Sequence, residues 1–219
     1  MREWSFPLQP RVSLCGSAIL AVMELPAGDR GLVQIVDASL VRAAHRAGAW
    51  LVCRLGCTQC CFGAFRINQL DALRLRAGME ELKSADPRLA TEVERRARAW
   101  IAEQGGAFPG DTQTGLLGES DEEIERFEEF ANDAACPALD PETGRCDVYA
   151  WRPMTCRVFG PPIRMGEGDE LGHCELCFEG ASEQDVQACE LEVPHALESR
   201  LVEGLGATGE TVVAFALVR

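Results

Sequence analysis

Between Cys53 and Cys189 the chain carries ten of its eleven cysteines, and they fall at short spacings in stretches that lack regular apolar periodicity. That coincidence constrains the fold more than any other feature. Irregular backbone cannot satisfy its own N–H and C=O groups through a helix or sheet ladder, so something else has to order it. Thiolates accept backbone N–H bonds, and an ion held by several of them ties distant loops together with a large gain in folding free energy. Of the 219 residues, 47% are hydrophobic, enough to bury a core without disulfide staples. An odd thiol count beside such a core argues against a secreted disulfide framework and for metal ligands in a reducing cytoplasm.

The charge narrows the partners. A net charge of −14 repels phosphate, which excludes nucleic acid and anionic membrane as primary partners and leaves a metal ion or cluster. The acidic run Glu119–Glu129 keeps helical order and lacks the oxygen-rich loop that calcium needs, so it reads as a solvated helix face. Near the N-terminus, Val12–Met23 follows Arg2 and Arg11 and imitates a signal peptide. It is too short to span a membrane and has no small-x-small cleavage site after it. The expectation is that translation begins at Met23, that residues 1–22 are extraneous, and that Cys15 belongs to no site.

The pattern outside the cysteines is helical. Asp37 reads as an N-cap for a helix carrying Leu40, Val41, Ala44 and Ala47, ended by Gly48. Residues 68–82 place Leu70, Leu73, Met79 and Leu82 on a stripe, and Asp86–Pro87 opens a third helix with Ala90, Val93, Ala97 and Ile101 on one side. A loop over Gly105–Gly118 and an acidic helix to Ala131 follow. Prolines and glycines then break Cys136–Gly172 into short pieces, with a helical turn or two starting near Pro153. Ser182 caps a last long helix that Pro194 bends or splits, and Thr211–Val218 fits either a strand or a buried helix. The fold expected is mainly α: helices surrounding an irregular, cysteine-rich, metal-organised centre, with a short C-terminal strand as an option. Its domains are an N-terminal extension (1–36), a cysteine-cluster domain (37–200) and a C-terminal tail packing on it (201–219).

The thiols form four groups: Cys53, Cys57, Cys60 and Cys61; Cys136, Cys146 and Cys156; Cys174 and Cys177; and Cys189. The pairs Cys57/Cys60 and Cys174/Cys177 each have the C-x2-C spacing that brings two thiolates onto one ion, and together they suffice for a tetrahedral zinc. Cys53-x3-Cys57-x2-Cys60 also has the spacing of the iron–sulfur motif of radical S-adenosylmethionine enzymes, but no succession of strand–helix units follows it. Neighbouring side chains point to opposite faces in extended backbone, so Cys60 and Cys61 are expected to face different ways and do different jobs. Ten thiols allow two four-cysteine sites with two left over, or one cluster with a reserve of redox thiols.

The segments "CRLGCTQCC", "CPALDPETGRCDVYAWRPMTCRVFGPP" and "HCELCFEGAS" resemble the CxxCxxCC proteins, a family of zinc- or iron-chelating domains, over roughly Asp37 to Cys189. The resemblance implies Cys53, Cys57, Cys60, Cys61, Cys136, Cys146 and Cys156 as the chelating set. Cys174, Cys177 and Cys189 lie beyond that core and complete the candidate ligands. Arg152 and Arg157 bracket Cys156 and are candidates to offset thiolate charge, and Tyr149 is a candidate to bond a sulfur or anchor the loop. His173 reads as a loop histidine, and Trp50, Trp100 and Trp151 read as core anchors. The function expected is metal chelation, zinc or iron–sulfur with a slight preference for iron–sulfur. The alternative is an iron–sulfur enzyme in redox or methyl-transfer modification of a protein or small molecule, since a related cluster occurs in flagellin lysine N-methylases. A metal-free thiol redox module ranks third, because a disulfide between adjacent cysteines is strained. No residue is singled out as catalytic.

Overall fold

A computed structural model describes residues 24–54, 56–165 and 170–219. The apolar run Val12–Met23, Cys15 and the expected start at Met23 lie outside these residues.

The first helix, α1 (Asp29–Ala47), begins eight residues before the expected Asp37 cap. The reason is upstream periodicity: Leu32 and Val36 share a buried face with Ala43 and Ala47, so one stripe runs the length of the helix. Asp37 therefore sits inside α1, and Val41, placed on the apolar stripe from sequence, is exposed. Gly48 ends the helix with a φ of 51° while its N–H bonds the carbonyl of Ala44. In α2 (Gln69–Ala85) the Asn68 side chain caps the N–H of Asp71. In α3 (Pro87–Gln104) Asp86 caps Leu89, with Pro87 in the first turn as the sequence suggests.

A two-residue antiparallel pair, β1 (Gly110–Asp111) and β2 (Leu116–Leu117), lies within the expected Gly105–Gly118 loop. The acidic helix α4 (Asp121–Glu128) opens on a capping box of Ser120 and Glu123 and buries no residue, as a solvated face should. Past it, regular structure shrinks to α5 (Met154–Val158), entered from Pro153, and a second two-residue pair, β3 (Ile163–Arg164) with β4 (Leu171–Gly172). The long C-terminal helix is split: α6 (Glu183–Ala188) stops at Cys189, and α7 (His195–Leu205) starts after Pro194, whose missing N–H and fixed φ forbid a continuous helix.

The apolar C-terminus resolves as a helix, α8 (Val213–Leu217), with every residue buried. Strand character is confined to Thr211, which exchanges two backbone hydrogen bonds of 2.9 Å with Ile67. From there α8 packs against both α2 and α3. Leu75, Met79, Val93, Ala97, Ala216 and Leu217 make the centre of this core. The protein is thus mainly α, with eight α-helices and two short strand pairs among the described residues. Of the three tryptophans read as core anchors, Trp151 lies over Gly78, where a Cβ would fall 2.4 Å from the indole Cγ, and Trp100 meets Phe130 edge to face. Trp50 departs from expectation: it sits 38% exposed on the 3-10 turn after α1.

Candidate metal centre

The cysteine loops are held by hydrogen bonds that run between them. Cys60 and Cys61 occupy a 3-10 turn, Gln59–Cys61, that leads into a single antiparallel bridge between Phe62 and Ala135. The carbonyl of Cys61 accepts from the N–H of Cys136 at 2.7 Å, which brings the second cysteine segment onto the first. A further bridge joins Leu139 to Cys146 across a tight turn at Asp140–Gly144. Gly144, at a φ of 67°, supplies the left-handed step there. Cys156 arrives on α5. Cys60, Cys136 and Cys156 border one small cavity of about 20 Å³, room for about one water-sized particle.

These thiols feel one another. Burial pushes the Cys156 thiol up to about 12, the charges of Cys60, Cys146 and Asp71 add to the rise, and Arg152 opposes it. Burial likewise drives Cys136 well above the ordinary thiol range, reinforced by Cys156, Cys146 and Cys60. Cys146 rises to about 11 through burial, against the N–H of Val148 and the charge of Arg152. Cys60 is raised first by a hydrogen bond to Cys61, then by burial. The adjacent pair therefore does not face opposite ways. A 3-10 turn advances about a third of a revolution per residue, not the half-turn of a strand, so the two sulfurs stay within reach of each other.

A second group assembles from the other cysteines. The turn Arg54–Cys57 is closed by the N–H of Cys57 on the carbonyl of Arg54, and the turn Cys174–Cys177 by the N–H of Cys177 on that of Cys174. The two are brought together through Gly160, whose carbonyl accepts from Cys174 and whose Cβ, if present, would stand 3.8 Å from that of Cys53. The N–H of Phe178 bonds the carbonyl of Trp50, and Gln59 bonds Glu175. Cys53 reaches the surface, yet enough protein surrounds it that burial leads its rise to about 11, followed by the charges of Cys57, Cys60, Cys177 and Cys174. Burial raises Cys174 too, with Cys177 and Cys57 adding and the N–H of Leu176 opposing. The C-x2-C pair Cys57/Cys60 spans the two groups: Cys60 borders the cavity with Cys136 and Cys156 while its charge still reaches Cys53, and Cys57 acts on Cys53 and Cys174. Cys189 is buried in an apolar cluster with Cys174, Cys177 and Phe178.

The candidate supporting residues separate in the same way. Arg152 is buried, its guanidinium lies 3.9 Å from the centroid of the exposed Tyr149 ring, and its charge acts on Cys60, Cys146 and Cys156. Arg157 turns instead to the Asp37 carboxylate at 2.7 Å and the carbonyl of Ala150 at 2.7 Å. Tyr149 serves as the platform for Arg152. His173 has Nδ1 3.0 Å from the Cys174 carbonyl and its ring 5.3 Å from that of Phe178.

Sequence reasoning missed a buried ionic network. Arg74 joins Asp71 and Asp29 inside the apolar half of α2. Asp71 also accepts the N–H of Met154 at 2.9 Å, fixing the start of the helix that carries Cys156. The signal was present as an Asp and an Arg three residues apart in a stripe otherwise written in Leu and Ala. Beside this network opens a cavity of about 780 Å³ bordered by Asp71, Met154, Val158, Phe159, Cys174 and Glu198.

The donor set suits a soft ion: clustered cysteines with backbone N–H groups aimed at Cys136, Cys146 and Cys174 from two residues further along the chain. Among the described residues no three His, Cys, Asp or Glu side chains meet in an ion-holding group. A family model described as "CxxCxxCC: Putative zinc- or iron-chelating domain" matches residues 52–175. No curated protein and no solved structure matches the chain.

Proposed function

The chain belongs to the CxxCxxCC family of zinc- or iron-chelating domains, and from that membership we propose that Cys60, Cys136, Cys146 and Cys156 are the principal ligands of its metal. The observation that supports this most is the small cavity bordered by Cys60, Cys136 and Cys156, with Arg152 acting on the same thiols. A guanidinium there offsets the charge that four thiolates place on a divalent ion or cluster. The N–H groups of Ala138 and Val148 favour the thiolate forms of Cys136 and Cys146, and hydrogen bonds to ligating sulfurs also set the potential of a cluster. Cys61, bonded to Cys60, orients that ligand. A reducing cytoplasm keeps such thiols free to bind.

Between the two metals we assign iron–sulfur. Four-thiolate sites accept either, but these ligands come from loops far apart in the chain, unlike the paired knuckles of a zinc ribbon. When bound, such a cluster supplies one-electron redox chemistry. Elemental analysis and absorption spectra of anaerobically purified protein test both levels. Stoichiometric iron with broad visible absorbance that bleaches on reduction is expected. A colourless protein with stoichiometric zinc overturns the iron assignment, and absence of both metals overturns chelation.

The enzyme alternative draws support from one observation, the large cavity that reaches Cys174 on one wall and Asp71 on another. Its volume lies within the range of small-molecule sites. On that reading a bound small molecule or peptide side chain perturbs the visible spectrum of the reduced protein; a spectrum indifferent to every ligand tried removes it.

A further inference from the structure

We propose that the chain holds two metal centres rather than one, the second made by Cys53, Cys57, Cys174 and Cys177. The inference rests on the chelation reading above and deepens it.

The geometry divides the ten thiols. The Gln59–Cys61 turn and the Cys61–Cys136 hydrogen bond commit Cys60 to the cavity it shares with Cys136 and Cys156. Two residues earlier the Arg54–Cys57 turn closes on its own carbonyl, and the chain on either side of it is fastened to the 174–178 segment. Trp50 is bonded to Phe178, Gln59 to Glu175, and Cys53 abuts Gly160, which in turn bonds Cys174. Gly160 has a φ of 124°, a conformation that side chains rarely adopt, so glycine is required by the backbone there, with Leu51 and Cys53 3.4 and 3.8 Å from where a Cβ would stand. Two short turns, each ending in a cysteine, are thereby placed together, which is how four thiolates are delivered to one tetrahedral ion.

The two sets differ in environment. Three ligands of the first are partly enclosed beside Arg152, whereas Cys53 of the second is exposed at the surface. Cys174 and Cys177 are backed by an apolar cluster that includes Cys189, whose burial leaves it a packing neighbour of the site. Although two of its four thiols are buried, the second set offers a chelator an exposed ligand, Cys53, that the first set lacks, and its metal leaves through that edge first.

Titration of the reduced full-length chain with Co(II), followed by its thiolate charge-transfer absorbance, separates the possibilities. Saturation at two ions per chain is expected, with one ion lost in Cys174→Ser/Cys177→Ser and the other retained. A chelator should then strip wild-type protein in two phases, the faster one missing from that variant. Saturation at a single ion, or release in one phase, overturns the second centre and leaves chelation standing. No binding at all overturns chelation itself. Because Cys174 and Cys177 are buried, the biphasic release from unaltered protein carries the test if the variant fails to fold.

Discussion

The α2–α3–α8 core and the cysteine loops satisfy their backbones by different means. In the core, the helices close their own ladders, Asn68 and Asp86 cap α2 and α3, and Leu75, Val93 and Leu217 are buried among them. In the loops, order comes from isolated bridges at Phe62–Ala135 and Leu139–Cys146 and from single bonds such as Cys174 to Gly160. Isolated bonds between loops give little cooperativity, and each buried thiol forgoes water without a partner of comparable strength. The contrast teaches where a metal's binding energy would go on the proposed reading: the core stands on apolar burial, and the loops are the part left for a metal to order.

The largest expected effect follows directly. Structural metal sites contribute on the order of 10 kcal/mol, so stripping the metal should raise amide exchange by orders of magnitude across residues 57–63, 136–147 and 172–178. Exchange in α2, α3 and α8 should change little. Measured by hydrogen exchange with and without chelator, a uniform loss of protection would break the comparison, because core and loops would then form one cooperative unit.

This division also explains what could be seen in the sequence. Helices α2 and α3 are legible in the sequence because their signals are local, as is the Pro194 break before α7. The Asp86–Pro87 start and the Ala90–Val93–Ala97 stripe act within a turn or two of chain, whereas the apolar run of α8 is too short to separate strand from buried helix. The start of α1 was misplaced because Asp37 is a good cap in isolation, and only the burial of Leu32 and Val36 shows that the helix is already under way. The cysteines were legible as candidate ligands, since soft donors at short spacing have few other uses. Their grouping was not. It depends on Gly160 and on which carbonyl each cysteine N–H finds, and those contacts span up to more than a hundred residues of chain.

Asp71 is the joint between the two regions, held by Arg74 in the core and holding the N–H of Met154 at the foot of α5. Burial lifts its carboxyl from the ordinary 3.8 to about 6, with Arg74 and the Met154 N–H pulling it down and Glu198 adding to the rise. A raised carboxyl means that the folded chain holds the proton more tightly than the unfolded one. Its stabilising contribution is therefore complete below about pH 4 and is lost as pH rises through about 6. The upper bound is about 3 kcal/mol at roughly 1.4 kcal/mol per pH unit of difference. Denaturation of the metal-free reduced chain and of Asp71→Asn, compared between pH 4 and 7, should show wild type losing stability relative to the variant across that window. Parallel profiles would show that Asp71 titrates as it does in the unfolded chain and that the joint carries no such coupling.

Arg152 tests the comparison at its finest, between the two thiol groups themselves. Its guanidinium rests on Tyr149, donates to the Tyr149 carbonyl at 2.9 Å and lies 4.0 Å from Asp37, so it is held in place independently of any sulfur. From there it opposes the rise of Cys60, Cys146 and Cys156, each of which must give up its proton to bind a metal. Arg152→Gln should weaken the Cys60–Cys156 centre by about 10- to 100-fold, the usual scale for a residue supporting metal ligands. It should also shift the pH dependence of Co(II) binding there to higher pH, while the second transition of the titration stays put. Tyr149→Ala removes only the platform and should cost less. Equal weakening of both transitions by Arg152→Gln would mean that one electrostatic field covers all eight thiols, and the division of the loops into two centres would lose its physical basis.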